Sequence, residues 1–237
     1  MMDQIRMSPR FTARMAGVFQ LLAAITATYG QKFVLGSLTV FDNPAATAAK
    51  IVGHERLFWV GFASSLIGVM FHIAWGLLVY DLFKVVNRRV SLFAMFVMLM
   101  SCAIQALTAV LYGAPMLVVN AGTTFSAFTT EQMQALAYMF IRLNGYAFNT
   151  NLVFFGLWCV LVGYLIFRST FMPRVLGVLL TIAGFAWMIY LVPPVAAPLF
   201  IPYIAGASAL GEIPLELWLI IFAVNAQRWQ EQAKVET

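Results

Sequence analysis

The sequence is short of charge. Of its 237 residues only 10% are Asp, Glu, Lys or Arg, whereas 62% are hydrophobic. A soluble domain carries about a quarter charged residues, and nine acids with fourteen bases are too few to cover a water-facing surface of this size. The mean hydropathy of +0.89 agrees. The composition excludes an ordinary soluble domain and predicts that lipid is the solvent for most of the surface.

Side chains suited to metal, haem or nucleophilic chemistry are also scarce. There are two cysteines and two histidines. Cys102 and Cys159 lie in apolar runs without metal-ligand spacing, and His54 lies in an external segment, so two buried axial histidines for a haem are lacking. The sequence has no phosphate-binding glycine loop, nucleophile elbow or dense basic patch. We therefore expect no cofactor, no metal and no nucleic-acid partner, and an enzyme is poorly supported.

Six long apolar runs dominate what is present. Each is near the length of about 20 residues that a bilayer requires, so we predict an all-α polytopic bundle of six spanning helices. No long polar stretch separates the runs, and residues 1–237 are predicted to form a single integral membrane domain. The first run is too long for a signal-peptide core and is interpreted as an uncleaved span. The predicted spans are 15–39, 57–82, 91–118, 143–167, 174–192 and 199–225.

The basic residues are distributed unequally between alternate loops. Ten of the fourteen fall on one side, which the positive-inside rule assigns to the cytoplasm. The chain is therefore predicted to lie in the cell membrane, in contact with lipid, with both termini cytoplasmic. The ten are Arg6, Arg10, Arg14, Lys84, Arg88, Arg89, Arg168, Arg174, Arg228 and Lys234, and the other four are Lys32, Lys50, Arg56 and Arg142.

Local signals mark three boundaries between the spans. Asn43 followed by Pro44 is typical of a helix start, with a capping residue and then proline in the first helical position. Thr129 with Gln132 resembles a capping box, which predicts a helix that begins ahead of span four, after an external loop at 120–130. A proline cluster forces a break between spans five and six; it comprises Pro193, Pro194 and Pro198.

A few polar side chains lie at membrane depth, where an ionisable group is costly and is a functional hypothesis by default. Counting depth along the spans places several of them in one layer. We predict a polar intramembrane ligand-binding site formed by His72, Gln105, Glu212 and Glu216, with Thr26 or Thr28 in the same layer.

The last span carries the most distinctive part of this predicted site. Glu212 and Glu216 are four residues apart and so share one helical face. Pro214 between them cannot donate a hydrogen bond and frees the carbonyl of Leu210. Glu212 is expected to face the bundle interior and to be either protonated or paired with His72.

Other interpretations of these polar residues stay open. Polar side chains also hold helices together through interhelical hydrogen bonds, and this is the favoured interpretation for three asparagines of span four. Three functions are therefore compared: binding or transport of a small molecule or ion, an accessory role in a larger complex or homo-oligomer, and an intramembrane enzyme using His72 and Glu212 as acid and base. The asparagines are Asn144, Asn149 and Asn151.

Eight short stretches together form a family pattern over nearly the whole chain. They are RMAG at 14–17, NPAATA at 43–48, YDLFKVVNR at 80–88, FFGL at 154–157, GY at 163–164, RSTFMPR at 168–174, LGV at 176–178 and GE at 211–212. The chain thereby resembles the bacterial membrane-protein family catalogued as domain of unknown function 4386. The resemblance implies a multi-span helical protein of the bacterial inner membrane, without an established activity, substrate or cofactor.

The sequence differs from that family pattern at its buried charges. Members often carry an Arg and a Glu in span three, where Met98 and Ser101 stand here. They also often carry an acid near His72 and a His near Asn144. The resemblance thus implies that Glu212 is retained while most of the buried charge is replaced, which favours a packing or binding role over a shared catalytic site.

Overall fold

A computed structural model describes residues 8–120 and 126–235. Within these residues the chain forms eight helices and no strand. The helices are α1 Pro9–Leu38, α2 Pro44–Gly53, α3 Glu55–Phe83, α4 Arg88–Val119, α5 Thr130–Arg168, α6 Arg174–Leu191, α7 Pro193–Ile221 and α8 Ala226–Val235. All but α2 and α8 are long enough and apolar enough to cross a bilayer. The predicted all-α fold with six spanning helices is confirmed.

Two of the predicted boundaries are formed by side-chain caps. The Asn43 side chain accepts a hydrogen bond from the Ala46 N–H at 2.9 Å, and α2 begins at the next residue, Pro44. Both arms of the capping box are present: Thr129 N–H donates to Gln132 Oε1 at 2.9 Å, and Gln132 N–H donates to Thr129 Oγ1 at 3.3 Å. Helix α5 therefore starts well before the predicted span. Of the predicted loop at 120–130, residues 121–125 lie outside the described residues, as does Arg6.

The proline cluster interrupts the chain as predicted, but the interruption is short. Helix α6 ends in a tight turn at Ile189–Leu191, and α7 begins at Pro193, ahead of the predicted residue 199. The backbone of α7 leaves helical geometry at Ile201, with φ −115° and ψ 129°. At its other end the chain turns through Ala223, whose φ of 58° is left-handed, and continues into α8. The apolar runs of the sequence did not predict α8, because its residues are mostly polar.

Contacts divide the chain into two compact units. Unit I comprises residues 8–21, 71–101 and 150–235, and unit II comprises the described residues of Leu22–Met70 and Cys102–Asn149. Helices α1, α3, α4 and α5 contribute a segment to each unit, whereas α6, α7 and α8 belong to unit I. The single integral membrane domain over residues 1–237 stays a prediction.

In unit I, helices α5 and α6 meet backbone to backbone along two pairs of glycines, which we call the glycine seam: Gly156 with Gly184, and Gly163 with Gly177. A Cβ atom on Gly156 would lie 2.6 Å from the Gly184 carbonyl oxygen, and one on Gly163 would lie 2.7 Å from that of Gly177. Small residues allow this approach, which is a principal source of helix association in lipid, where apolar burial offers little. The seam fixes α6 against α5 and thereby positions the side chains at the C-terminal end of α6.

Unit II has its own apolar core around a fully buried tyrosine. The Tyr112 ring packs against Phe58 with the ring centroids 4.9 Å apart, and its hydroxyl donates to the Gly30 carbonyl at 3.4 Å. The other buried residues of this core are mostly aliphatic and include Ile51 and Ile141. The core links segments of α1, α2, α3, α4 and α5 that belong to unit II.

Candidate functional site

Helix α7 presents two carboxyl groups in unit I. Glu212 and Glu216 lie one turn apart and both are half-buried. Gly211 allows this part of α7 to contact α6, because a Cβ atom there would lie 2.5 Å from the Leu179 carbonyl oxygen. Pro214 interrupts the hydrogen bonds of α7 between the two acids. Close helix contact and a proline therefore coincide at the carboxyl pair.

The Glu212 carboxyl is held by an indole on the neighbouring helix. Trp187 Nε1 of α6 donates to Glu212 Oε1 at 2.7 Å. From the sequence, Glu212 was expected to be protonated or paired with His72. The hydrogen bond described for this carboxyl instead joins α6 to α7. Indole is a donor only, so this contact suits either protonation state of the acid.

Both carboxyl groups line a small cavity inside unit I. Its volume of about 10 Å³ is about what one water molecule needs. Two other polar-headed side chains, Gln20 of α1 and Trp75 of α3, contribute to the lining. The rest of the wall is apolar or aromatic and consists of Phe155, Trp158, Leu180, Leu215 and Leu219. The two acids thus line a partly open space with room for about one water molecule.

Two polar atoms of the cavity-lining side chains are buried without a hydrogen-bond partner among the described residues. They are Gln20 Oε1 and Trp75 Nε1, on side chains that are only 4% and 3% exposed. An unsatisfied buried polar atom costs about 1–3 kcal/mol. One of these atoms is an acceptor and the other a donor, and the Gln20 side chain also interacts with the Glu216 carboxyl. Both unpartnered atoms therefore belong to side chains of the cavity wall.

The other two predicted site residues lie elsewhere. The His72 ring packs against Trp75 and Phe155, with centroid distances of 5.8 and 6.2 Å. Both of these aromatics line the cavity, and His72 stands behind them. Gln105 is buried in unit II, where its backbone carbonyl accepts a hydrogen bond from the Thr108 hydroxyl at 2.6 Å. The structure thus brings Glu212 and Glu216 together on one cavity, places His72 one side chain away, and assigns Gln105 to the other unit.

Two of the span-four asparagines join helices, as the packing interpretation predicts. In unit I the Ser101 hydroxyl donates to Asn151 Oδ1 at 2.5 Å. In unit II the Asn144 amide donates to the Thr108 carbonyl at 2.6 Å. Each bond connects α4 with α5. The Thr26 hydroxyl donates to the Leu22 carbonyl of its own helix at 2.7 Å.

The fold is a helical bundle in which six helices are long and apolar enough to span a membrane, and two acids of the last of them line a small cavity. Residues 15–223 match the family described as Domain of unknown function (DUF4386), and the chain belongs to this family. The resemblance found in the sequence is thereby confirmed. No curated protein and no solved structure matches the chain.

Proposed function

We propose that the protein is a membrane-embedded proton-binding protein of the transport type, and that Glu212 and Glu216 hold the proton. The observation that carries the proposal is that these two acids line one small cavity together with Gln20, whose buried amide oxygen has no hydrogen-bond partner among the described residues. Two carboxylates so close in a medium of low dielectric repel one another. A proton shared between them removes that repulsion.

The donors and acceptors around the cavity favour a water molecule beside a protonated carboxyl over a metal ion. Gln20 Oε1 and the carboxyl oxygens suit a cation, but the Trp75 N–H is a donor and repels one. A water molecule would accept from Trp75 and donate to Gln20 and one carboxyl, which satisfies all of them. Within the described part of the chain, no group of three or more His, Cys, Asp or Glu side chains is placed to hold a metal.

Two features of α6 and α7 support movement of a proton at this position. The Trp187 N–H fixes one face of the Glu212 carboxyl, so that protonation occurs at a defined oxygen. Pro214 leaves the Leu210 carbonyl without its usual helical donor, which provides an acceptor two residues before Glu212 in the chain. Broken helical hydrogen bonds next to buried carboxyls are typical of ion sites in transporters.

Infrared spectroscopy of the full chain in lipid nanodiscs tests the proposal directly. A pH titration is expected to show the carbonyl stretch of a protonated carboxyl group in an apolar environment. We expect Glu212→Gln to abolish this band and Glu216→Gln to shift or abolish it, since the two groups share the proton. The matched control is Glu231→Gln on exposed α8, which is expected to leave the band unchanged.

Two results would overturn the assignment. One is a titrating band that survives in both Glu212→Gln and Glu216→Gln. The other is loss of the band on addition of Na⁺ at constant pH, which would identify a sodium site instead. Addition of K⁺ at the same ionic strength controls for screening of surface charge.

We also propose that both termini are cytoplasmic, on the strength of the ten-to-four distribution of Lys and Arg. Reporter fusions after Thr237 and within residues 120–130 are expected to report opposite sides of the membrane. A fusion after Arg89 is expected to agree with the one after Thr237. The same side for Thr237 and the 120–130 loop would contradict this topology.

A further inference from the structure

A second cavity in unit I lies at the end of α7, outside the proton site. It has a volume of about 330 Å³ and lies where the chain turns through Ala223 into α8. Its polar wall includes Arg10 at the start of α1 and Arg228 in the first turn of α8. No Asp or Glu among the described residues lines it. The cavity therefore carries two positive charges without a compensating acid in its wall.

The guanidinium groups of these two arginines retain free donors. Arg228 donates to the Thr170 carbonyl at 3.4 Å, a long bond that uses one of its five N–H groups. For Arg10 the structure shows no hydrogen bond or ion pair with the other described residues. Both side chains are exposed, and Arg is the side chain best suited to bidentate recognition of phosphate.

The start of α8 adds further donors to the same wall. Asn225 caps this helix by accepting the Arg228 N–H at 3.1 Å. The first backbone N–H groups of a helix lack intrahelical partners and favour an anion. Helix α8 is docked firmly enough to hold them in place. Its Gln232 Oε1 accepts from both the N–H and the hydroxyl of Thr170 at 3.0 Å, and the Trp229 indole donates to the Leu82 carbonyl at 2.8 Å.

An aromatic surface adjoins the basic wall. Trp218 and Phe222 line the cavity from the last turns of α7, with ring centroids 4.7 Å apart. Phe222 is 63% exposed and follows directly on the end of α7, a helix long and apolar enough to span a membrane. The end of such a helix is where a bilayer core would meet its headgroups. Cationic donors beside an exposed apolar surface match the two halves of a phospholipid, a phosphate headgroup and the start of an acyl chain.

We infer that this cavity binds one anionic phospholipid, with the headgroup phosphate on Arg10, Arg228 and the start of α8 and the acyl chain along Trp218 and Phe222. The inference is independent of the proton site. Basic pockets between spanning helices recognise anionic headgroups through such contacts. A free phosphate would use the same arginines but would gain nothing from the aromatic surface, which is why a lipid is the favoured source of the phosphate.

Quenching of tryptophan fluorescence by brominated lipids tests this inference on the full chain in detergent micelles. Titration with brominated phosphatidylglycerol is expected to quench more strongly, and at lower concentration, than brominated phosphatidylcholine. The extra quenching is expected to disappear in Trp218→Phe. Arg10→Gln is expected to weaken binding of phosphatidylglycerol about fivefold, and the double variant with Arg228→Gln about 30-fold, as the loss of one and two basic contacts at a headgroup implies.

The control for overall charge is the double variant Arg56→Gln with Arg142→Gln, which removes the same charge from unit II and is expected to leave binding unchanged. Equal quenching by the two lipids would overturn the inference. So would unchanged affinity in Arg10→Gln, a variant that breaks no described contact. Full competition by inorganic phosphate at constant ionic strength would assign the site to a free phosphate and overturn the lipid assignment.

Discussion

Gly163→Leu is expected to abolish or severely reduce recovery of folded protein. Gly163 lies on the glycine seam, and a Cβ atom there would lie 2.7 Å from the Gly177 carbonyl oxygen and 2.3 Å from the Thr181 hydroxyl. A side chain can be displaced by a rotamer change, but the carbonyl belongs to the backbone of α6 and moves only if the helix moves. Overpacking a core costs about 1–3 kcal/mol even where side chains can adjust, and we expect a larger loss at this position.

Fluorescence-detected size-exclusion chromatography after a series of heating steps measures this effect in detergent. The matched control is Gly145→Leu on the same helix, because a Cβ atom on Gly145 meets nothing within 4 Å. The control is expected to retain the melting temperature of the parent chain within about 2 °C, as surface substitutions usually do. If the two variants melt together, α5 and α6 do not meet at the seam.

Glu212→Leu is expected to destabilise the protein by about 1–2 kcal/mol, whereas Glu212→Gln is expected to be nearly neutral. Glutamine keeps an oxygen that can accept the Trp187 N–H, while leucine removes the described acceptor from a partly buried donor. Hydrogen bonds between membrane helices contribute less stabilising free energy than was expected for an apolar solvent. The expected loss therefore lies toward the lower end of the range for an unsatisfied buried donor. Thermal unfolding of the full chain in one detergent compares the variants.

A double-mutant cycle with Trp187→Phe isolates the contribution of this hydrogen bond. Phenylalanine keeps an aromatic ring and removes the donor. If the bond is formed as described, the second substitution is expected to cost less in the Glu212→Leu background than in the parent chain. Strict additivity would show that the two side chains are not coupled. Because Glu212→Gln retains the fold, its effect on proton binding can be measured without loss of the protein.

The fold could be predicted from the sequence because bilayer thickness imposes a strong and simple rule. Apolar runs of sufficient length predicted six helices, and each predicted span overlaps one long helix of the structure. The Asn43 and Thr129 caps were predictable because capping depends on residues only three positions apart. Helix α8 could not be found in this way, since it crosses no bilayer, and its position depends on contacts with distant residues such as Thr170 and Leu82.

The candidate site was only partly predictable, because depth along a span does not reveal which helices are neighbours. Glu212 and Glu216 were predicted to share one helical face, since they are four residues apart, and both line the same cavity. Gln20 is also a polar side chain within an apolar run, but it was not included in the predicted polar layer. Thr26 was included, and its hydroxyl donates within its own helix. Trp187 could not be singled out, because the sequence does not distinguish a tryptophan that only packs from one whose indole donates to a carboxyl.

Grouping Gln105 with the acids shows the same limit. A layer model assumes that every side chain at one depth meets at one axis, but contacts assign Gln105 to unit II and the carboxyl pair to unit I. For Asn144 and Asn151 the favoured interpretation agrees with the structure, because a buried amide finds a partner on an adjacent helix wherever one is within reach. Local chemistry was therefore predictable, and the pairing of helices was not.

The glycine seam also restricts how the protein can change shape. Its two contacts are seven residues apart on each helix, from Gly156 to Gly163 and from Gly177 to Gly184. The close approach is therefore repeated about two turns further along both helices. Sliding α6 along α5 by one turn would bring each glycine opposite a residue with a Cβ atom, and the backbones would have to separate. A piston motion between these helices is therefore blocked. If access to Glu212 alternates between the two faces of the membrane, α5 and α6 must tilt together as one rigid hairpin.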